Sequence, residues 1–350
     1  MAYSTISKSS SFFNTVLYTG ANQTITGVGF QPDWSWIKQR NSASSALFDA
    51  VRGATKFVES NSTNVEVTDA TTLTAFGSDG FTLGADSSGY VGGSSQATVS
   101  WNWKANGSGS ANSDGSITTT ATSVNTTSGF SISTYTGTGS AATIGHGLGV
   151  APAMIMVKRL NASAEAWVVY QQNLGGGTTP QDKYLHLSSS DAEGDSAGMW
   201  NDTAPTTSVF SVGSTGVSNG AGGTFVAYCF AEKTGFSKFG SYVGNGNANG
   251  AMIYTGFKPA FVMIKRTDAS DNWNMFDDKR VGYNYSNYRL FANSTSGEET
   301  SASAQRIDIV SNGFKLRSNE TDANGSGNNY IYMAFGQPIV STNGDIATAR

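Results

Sequence analysis

The chain contains the stretch Pro32-Asp-Trp-Ser-Trp-Ile-Lys38 and repeats its pattern as Pro152-Ala-Met-Ile-Met-Val-Lys158 and Pro259-Ala-Phe-Val-Met-Ile-Lys265. The step from proline to lysine is six residues each time, and the successive prolines lie 120 and 107 residues apart. Short runs that are rich in Val, Ile and aromatic residues and are bounded by turn-forming residues are typical of β-strands. A spacing of this length fits a complete small domain and is too long for a solenoid unit.

Four further signatures accompany this strand in the same order in each block. A Tyr-x-Gly sequence opens the block, an apolar strand and a Phe-containing strand follow the lysine, and another apolar strand closes the block. The signatures are Tyr18–Gly20, Tyr135–Gly137 and Tyr242–Gly244; Ala46–Asp49, Trp167–Tyr170 and Trp273–Asp277; Gly80–Leu83, Val209–Val212 and Gly313–Leu316; and Val99–Trp103, Val226–Phe230 and Ile331–Phe335. Their recurrence predicts an internal triplication.

The composition favours a β protein with a binding or structural role. The 350 residues include 42 Gly and 6 Pro, and 13% are charged, which is about half the usual share. The net charge of −4 offers no cationic surface to a nucleic acid. No apolar run is long enough to span a membrane, and we expect neither a signal peptide nor an internal disulfide, because Cys229 is the single cysteine.

We therefore predict an all-β chain of three tandem, jelly-roll-like β-sandwich domains. The predicted domains are residues 1–104, 129–232 and 233–350. Residues 105–128 are almost wholly Gly, Ser, Thr, Asn and Ala, which predicts a flexible or extended linker. The connection between the second and third blocks is only residues 232–238, which predicts that these two domains pack rigidly.

The closing strand differs between the blocks in the residues that alternate with its apolar set. In the first block these residues are Ser100 and Asn102, which predicts a solvated face. In the other blocks they are Ala227 and Cys229, and Tyr332 and Ala334. A strand that is apolar on both faces is buried on both, so we expect an interface between these blocks, or with a neighbouring subunit, at that strand.

Two tryptophan pairs have two interpretations. Trp34 and Trp36, and likewise Trp101 and Trp103, project from one face of a strand and would suit stacking on sugar rings. The other blocks have Met, Tyr and Phe at the matching positions. Since apolar bulk recurs and the flat ring does not, core packing is the favoured interpretation.

The repeated lysines suggest a second kind of contact. Lys38, Lys158 and Lys265 recur, and Arg159 and Arg266 follow two of them directly. These cations would suit acidic glycans or lipopolysaccharide phosphate. The alternative is a charged strand end that prevents wrong edge pairing.

Two loops offer oxygen atoms of the kind that calcium takes. One carries Asp191, Glu193, Asp195 and Asp202, and the other is Asp322-Ala-Asn-Gly-Ser-Gly-Asn328. The second loop lacks the later bidentate acid of an EF-hand. A plain solvated loop is the favoured interpretation of both, so we expect no cofactor.

Catalytic signatures are not evident. His146 and His186 are the two histidines, and neither has a neighbouring nucleophile or acid pattern. The glycines are scattered through turns and form no phosphate-binding loop. We therefore expect a protein that is not an enzyme.

Several segments of the chain are similar in sequence to segments of a known group of proteins. They are Gly29–Lys38, Leu47–Thr55, Asp79–Gly84, Gly145–Pro152, Tyr228–Glu232 and Gly256–Ala260. These segments resemble the repeats of virion proteins from marine bacteriophages, including phages of cyanobacteria, over essentially the whole chain. The resemblance implies a tail-fibre or other structural component of the virion. It also implies synthesis in the bacterial cytoplasm, which is consistent with the lack of disulfides.

The leading functional hypothesis is a tail-fibre or tail-tip protein that contacts the host surface. Its expected partners are other virion proteins, further copies in a homotrimer, and a host polysaccharide or receptor, with no nucleic acid and no membrane insertion. Recognition would involve the loops in which the blocks differ, and Tyr332 is a further candidate contact. These loops are Leu174–Lys183, Ser188–Pro205, Arg280–Glu299 and Ser318–Asn329.

Two alternatives remain open from the sequence. The first is a head decoration, head-fibre or tail-adaptor protein with a purely structural role. The second is a capsule depolymerase, against which the lack of an acid pair and of a parallel β-helix period argues.

Overall fold

Antiparallel β-strands account for almost all the regular structure of the chain, which confirms the predicted all-β class. The computed structural model describes residues 4, 6–93, 95–281, 284, 288–301 and 306–340. Within these ranges the strands form six sheets, one large and one small sheet in each of three units. We call the described residues up to 104 the first unit, 105–232 the second and 233–340 the third.

Helices are few and short in the described ranges. None is long and apolar enough to cross a membrane. The helical segments are α1 (Ala197–Trp200), α2 (Gly216–Asn219) and the 3-10 turns Ser9–Ser11, Leu174–Gly177 and Pro180–Asp182.

The first unit consists of a six-stranded and a three-stranded sheet. Its strands are β1 (Phe13–Thr19), β2 (Thr24–Ile25), β3 (Trp34–Gln39), β4 (Ser45–Asp49), β5 (Lys56–Glu59), β6 (Val67–Thr68), β7 (Leu73–Gly77), β8 (Gly80–Leu83) and β9 (Ala97–Trp103). The large sheet has the order β1-β9-β3-β4-β5-β6, and the small sheet has the order β2-β8-β7.

The second unit consists of a seven-stranded and a two-stranded sheet. Its strands are β10 (Ala121–Asn125), β11 (Phe130–Thr136), β12 (Ala142–Gly145), β13 (Met154–Arg159), β14 (Val168–Gln171), β15 (Lys183–His186), β16 (Gly194–Asp195), β17 (Val209–Val212) and β18 (Thr224–Phe230). The large sheet has the order β10-β11-β18-β13-β14-β15-β16, and β12 pairs with β17.

The third unit consists of a five-stranded and a three-stranded sheet. Its strands are β19 (Ser237–Val243), β20 (Met252–Tyr254), β21 (Phe257–Arg266), β22 (Asn274–Asp277), β23 (Leu290–Phe291), β24 (Ile307–Val310), β25 (Gly313–Leu316) and β26 (Asn329–Pro338). The large sheet has the order β19-β26-β21-β22-β23, and the small sheet has the order β20-β25-β24.

The three large sheets share one strand order. Strands β1-β9-β3-β4-β5 correspond to β11-β18-β13-β14-β15 and to β19-β26-β21-β22-β23. The register of the two central strands corresponds as well, because Trp34 pairs with Trp103, Met154 with Phe230, and Phe261 with Phe335. Whether the chain arose by triplication stays a prediction from its motifs.

One face of every large sheet contributes to a single shared hydrophobic core. The opposite face packs on the small sheet of its own unit and forms a separate cluster. The units therefore enclose a common centre instead of following one another as separate domains. The central strands contribute Trp34, Trp36, Trp101, Trp103, Met154, Met156, Tyr228, Phe230, Phe261, Met263, Met333 and Phe335 to the shared core.

The closing strands are buried on both faces in all three units, which corrects the prediction of a solvated face in the first. Asn102 and Ser100 are fully buried, because their polar atoms bond to one another and Ser35 Oγ donates to Asn102 Oδ1 at 2.8 Å. Cys229 and Tyr332 lie in the clusters between the sheets of their own units. The predicted contact between units lies on the other face of these strands.

Residues 105–128 pair with strands of the second unit and are part of it, so the prediction of a flexible or extended linker between separate domains is wrong. Strand β10 adds to the edge of β11, and Ile117 pairs with Ile144 at the edge of β12. The Ile117 N–H donates to the Thr143 carbonyl at 3.1 Å. Small hydroxyl-bearing residues allow this close pairing. The amino-acid composition of the segment does not distinguish a paired strand from a flexible spacer.

Polar contacts between the units follow a closed ring. Trp101 Nε1 of the first unit donates to Asp277 Oδ2 of the third at 3.0 Å. The Tyr228 hydroxyl of the second unit donates to Asp49 Oδ2 of the first at 2.8 Å. Trp273 Nε1 of the third unit donates to the His186 carbonyl of the second at 3.0 Å. Each unit thus donates to a different neighbour.

Two sites of this ring contain the same buried ion pair. Asp49 pairs with Arg52, and Asp277 pairs with Arg280, in both cases with the arginine three residues after the aspartate. At the corresponding positions the second unit has Gln171 and Leu174. There Gln171 Nε2 donates to the Gly240 carbonyl of the third unit at 3.2 Å.

Candidate ligand-binding groove

The three repeated lysines are fully buried, which corrects their prediction as surface contacts. Each ammonium group donates to main-chain carbonyl oxygens. The acceptors are Ala43 and Ser294 for Lys38, Glu165 for Lys158, and Ser190 and Arg266 for Lys265. The side chains run inward to join loops, so they are neither a cationic site nor charged strand ends.

Burial lowers the pKa of Lys38, Lys158 and Lys265 to about 8. Between this value and the ordinary lysine value the unfolded chain binds more protons than the folded chain. The free energy of unfolding therefore rises with pH, by up to about 1.4 kcal/mol per pH unit for each lysine. Urea unfolding at several values between about pH 7 and pH 9 measures this slope.

The variant Lys158→Met is expected to lower that slope by about a third of the combined effect of three lysines. A free energy of unfolding that is constant or falls over this range would contradict the assignment. The range ends near pH 9 because burial raises the pKa of the Cys229 thiol, and that group acts in the opposite direction at higher pH.

The two arginines that directly follow repeated lysines each form an ion pair with a carboxylate. Arg159 Nη1 lies 3.2 Å from Glu165 Oε1, and Arg266 Nε lies 2.8 Å from Asp268 Oδ1. Asp271 Oδ2 lies 3.6 Å from the Arg266 guanidinium. These carboxylates balance the two cations, so the structure does not combine the predicted lysines and arginines into an anion site.

The acidic loops are engaged in local contacts. Asp195 pairs with Lys183 at 2.7 Å, and Asp191 accepts a hydrogen bond from the Ser189 hydroxyl at 2.8 Å. Asp322 is held by the guanidinium groups of Arg289 and Arg306, which compensate the charge that a cation would need. Across the described part of the chain, no three His, Cys, Asp or Glu side chains lie together as a metal site requires.

The remaining candidate residues belong to the interior or to local networks. Trp34, Trp36, Trp101 and Trp103 lie in the shared core, which confirms the packing interpretation. Tyr332 is 4% exposed, so the prediction that it contacts a partner is wrong. The backbone N–H of Leu148 donates to His146 Nδ1 at 3.2 Å, and burial lowers the pKa of His146 and of His186.

An open polar groove lies on the first unit, between the turn after β3 and the long loop between β8 and β9. Its volume is about 670 Å³. Exposed amide and hydroxyl groups dominate its walls, with one aromatic ring. The lining residues are Gln39, Asn41, Ser42, Ala43, Ser44, Asp86, Ser87, Ser88, Gly89, Tyr90, Gly93 and Gln96.

The long loop of this groove is fixed from inside. The Asp86 carboxylate accepts the backbone N–H groups of Tyr90 and Val91, both at 2.9 Å. Asp86 has a φ of 45°, in the left-handed region that Asp tolerates better than most residues. The Tyr90 ring packs on Phe57 with 4.4 Å between ring centroids.

Hydrogen bonds made by side chains connect the two walls of the groove and fix one of them. Gln39 Nε2 donates to the Gly89 carbonyl, and Asn41 Nδ2 donates to Gln96 Oε1. The Ser88 hydroxyl donates to Asp69 at 2.6 Å. The groove therefore presents fixed donors and acceptors, together with a partly exposed aromatic ring.

Sequence reasoning missed these groove residues. They come from two loops about 45 positions apart and are Ser, Asn, Gln and Gly, the commonest loop residues of this chain. The turn residues predicted loops at both places, but only the pairing of β3 with β9 brings the loops together.

The fold and groove define an all-β protein of three sandwich units with a polar surface site. The chain matches, over residues 8–338, the model of a family described as "Domain of unknown function (DUF7483)". Since this match covers nearly the whole chain, the chain belongs to that family. No curated protein and no solved structure matches it.

Proposed function

We propose that this chain is a non-enzymatic bacteriophage virion protein, a tail fibre or tail tip, whose first unit binds a host surface polysaccharide. The observation that carries the proposal is the polar groove between residues 39–44 on one side and residues 86–90, Gly93 and Gln96 on the other. The virion assignment itself rests on the sequence motifs that resemble marine phage virion proteins.

The chemistry of the groove suits a neutral glycan. Sugar hydroxyls donate and accept hydrogen bonds, as the amides of Asn41 and Gln96 and the hydroxyls of Ser42 and Ser88 do. Tyr90 adds an aromatic ring with a polar end. Loops held on a rigid sheet are a common location for binding residues.

A structural role within the virion is the second candidate. Three exposed apolar side chains of the third unit favour it: Val243, Met252 and Tyr254, which are 61%, 44% and 59% exposed. Met252 and Tyr254 project from the same face of β20, and adjoining exposed apolar side chains suit contact with another protein. The homotrimer stays a prediction, and the three units already enclose a ring within one chain.

Binding of the full chain to an array of bacterial capsule, exopolysaccharide and lipopolysaccharide glycans tests the proposal. We expect the full chain to bind a subset of these glycans. Substitution Asn41→Ala removes one amide and is expected to weaken binding about tenfold, which corresponds to roughly 1.4 kcal/mol for a well-placed polar contact.

The matched control is Asn249→Ala, which removes an exposed amide in the third unit. This change should leave glycan binding unaltered. Binding to none of the glycans, or equal losses in the two variants, would count against a glycan site in this groove. A chain that binds purified phage heads or tails and no glycan would support the structural candidate.

A further inference from the structure

Residues 116–125 cover one edge of each sheet in the second unit, and no described residues add a strand at the corresponding edges of the third unit. In the second unit, β10 pairs with β11 of the large sheet, and Ile117 pairs at the edge of β12 of the small sheet. The corresponding strands of the third unit are β19 and β20. Among the described residues, β19 pairs with β26 alone and β20 with β25 alone.

Backbone groups of β19 are placed to continue this pairing. The Phe239 N–H donates to Glu232 Oε1 at 2.9 Å, and its carbonyl accepts from Gln172 Nε2 at 2.9 Å, so both groups point away from β26. Side chains alternate along a strand with a period of two residues, as do the hydrogen-bonding directions. The N–H and C=O groups of Ser241 and Val243 therefore point outward as well.

The position of Ser241 corresponds to that of Thr134 in the second unit, since each directly precedes the tyrosine of a Tyr-x-Gly signature. There the Thr134 carbonyl accepts the Thr120 N–H at 2.7 Å. The outward side of Ser241 and Val243 is also continuous with the contact that Gln172 and Glu232 make at Phe239. An added strand would extend this existing interface.

Strands β19 and β20 carry exposed apolar side chains. Val243, Met252 and Tyr254 are the exposed large hydrophobic residues of the third unit. A cavity of about 460 Å³ lies between the start of β19 and the end of β20, with Lys238, Tyr254 and Val340 among its lining residues. In the second unit the equivalent strand edges are covered by residues 116–125.

We propose that β19 and β20 of the third unit accept an extended segment of a partner polypeptide by strand addition. The segment would be uncharged and hydroxyl-rich with a β-branched residue, like residues 116–125 of this chain. Its backbone would pair with Ser241 and Val243, and its apolar residue would pack beside Ile253 of β20, the position that corresponds to Ile144 in the second unit. Such pairing obtains affinity from main-chain hydrogen bonds and specificity from alternate side chains.

A labelled synthetic peptide with the sequence of residues 115–125 is the probe for this site. Fluorescence anisotropy with the full chain is expected to show saturable binding, at least tenfold weaker for the protein variant Ser241→Pro. Proline removes the outward N–H group of residue 241. An edge strand tolerates proline at a position where the lost N–H faces solvent. The control Ser241→Ala keeps the N–H and should bind the peptide normally.

Side-chain variants separate this edge from the others. Ile253→Ala is expected to weaken peptide binding about tenfold, whereas Leu17→Ala, at an exposed apolar position on the corresponding strand β1, should leave it unchanged. Thermal unfolding of each variant checks that the fold persists. A peptide in which Asp replaces the isoleucine should not bind.

Three results would overturn the proposal. One is no saturable binding, and another is equal binding by Ser241→Pro and the unsubstituted chain. The third is binding only by a chain that ends at Val340, which would show that residues 341–350 compete for the edges of β19 and β20 in place of a partner.

Discussion

Substitution of Asp277 by alanine is expected to lower the free energy of unfolding by about 3–5 kcal/mol, because the fully buried Arg280 guanidinium loses one of its two carboxylate partners and keeps only Glu298. Asp277 and Arg280 are both fully buried side chains. Burial alone would raise the pKa of Asp277, but the Arg280 guanidinium and backbone N–H groups hold it below its ordinary value. The substitution also removes the acceptor of Trp101 Nε1, which joins the first and third units. Urea unfolding measures the change.

The control variant for this prediction carries the residues that the second unit has at the corresponding positions. It has Gln171 and Leu174 where the third unit has Asp277 and Arg280. The double variant Asp277→Gln with Arg280→Leu removes both charges of the pair, and Glu298 keeps its ion pair with Arg40. It is therefore expected to cost less than Asp277→Ala alone. A double variant at least as unstable as the single one would contradict this account of the ion pair. Asp191→Ala, at an exposed site, should change the free energy of unfolding by less than about 0.5 kcal/mol.

Substitution of Trp34 by alanine is expected to lower the free energy of unfolding by about 3–5 kcal/mol, through loss of buried area and the cavity left behind. Trp34 is fully buried and packs between units. Its ring stacks on Tyr228 of the second unit with centroids 4.6 Å apart, and contacts Trp103 of its own unit at 4.4 Å. Calorimetric or urea unfolding measures the loss.

The matched control for this prediction is Trp34→Phe. Phenylalanine retains most of the ring contacts, and no hydrogen bond is lost, because Trp34 Nε1 has no partner among the described residues. We expect this variant to lose less than half as much stability as Trp34→Ala. Equal losses would indicate that the packing of the ring is not what stabilises this site.

The strands and their succession along the chain were the part of the fold most accessible to sequence reasoning. The stretch from Pro152 to Lys158 alternates side chains that reach two different hydrophobic clusters, Met154 and Met156 in one and Ile155 and Val157 in the other. A strand apolar on both faces indicates burial on both sides. It does not indicate which sheet covers each side, so the shared core of three units could not be predicted.

The burial of polar side chains could not be predicted from the sequence for a related reason. The sequence pattern predicts that Lys38 is a charged residue at the end of a strand. In the structure its ammonium group donates to one carbonyl of its own unit and to one of the third unit. The pattern likewise predicts that Asn102 is exposed to solvent, but a hydrogen bond from Ser35 satisfies its amide oxygen in the interior. Whether a polar side chain is buried depends on partners that are distant in sequence, and the groove around Tyr90 depends on such neighbours too.

Residue-resolved native-state hydrogen exchange on the unsubstituted chain and on Trp34→Ala tests the central claim most directly, which is that three units share one core. Ser100, Ala227 and Ala334 are suitable reporters, because each lies on the closing strand of one unit. We predict that the slowest amides of all three strands open with one free energy, which falls by the same amount in Trp34→Ala. Different opening free energies in the three units, or a fall confined to the first, would contradict the claim.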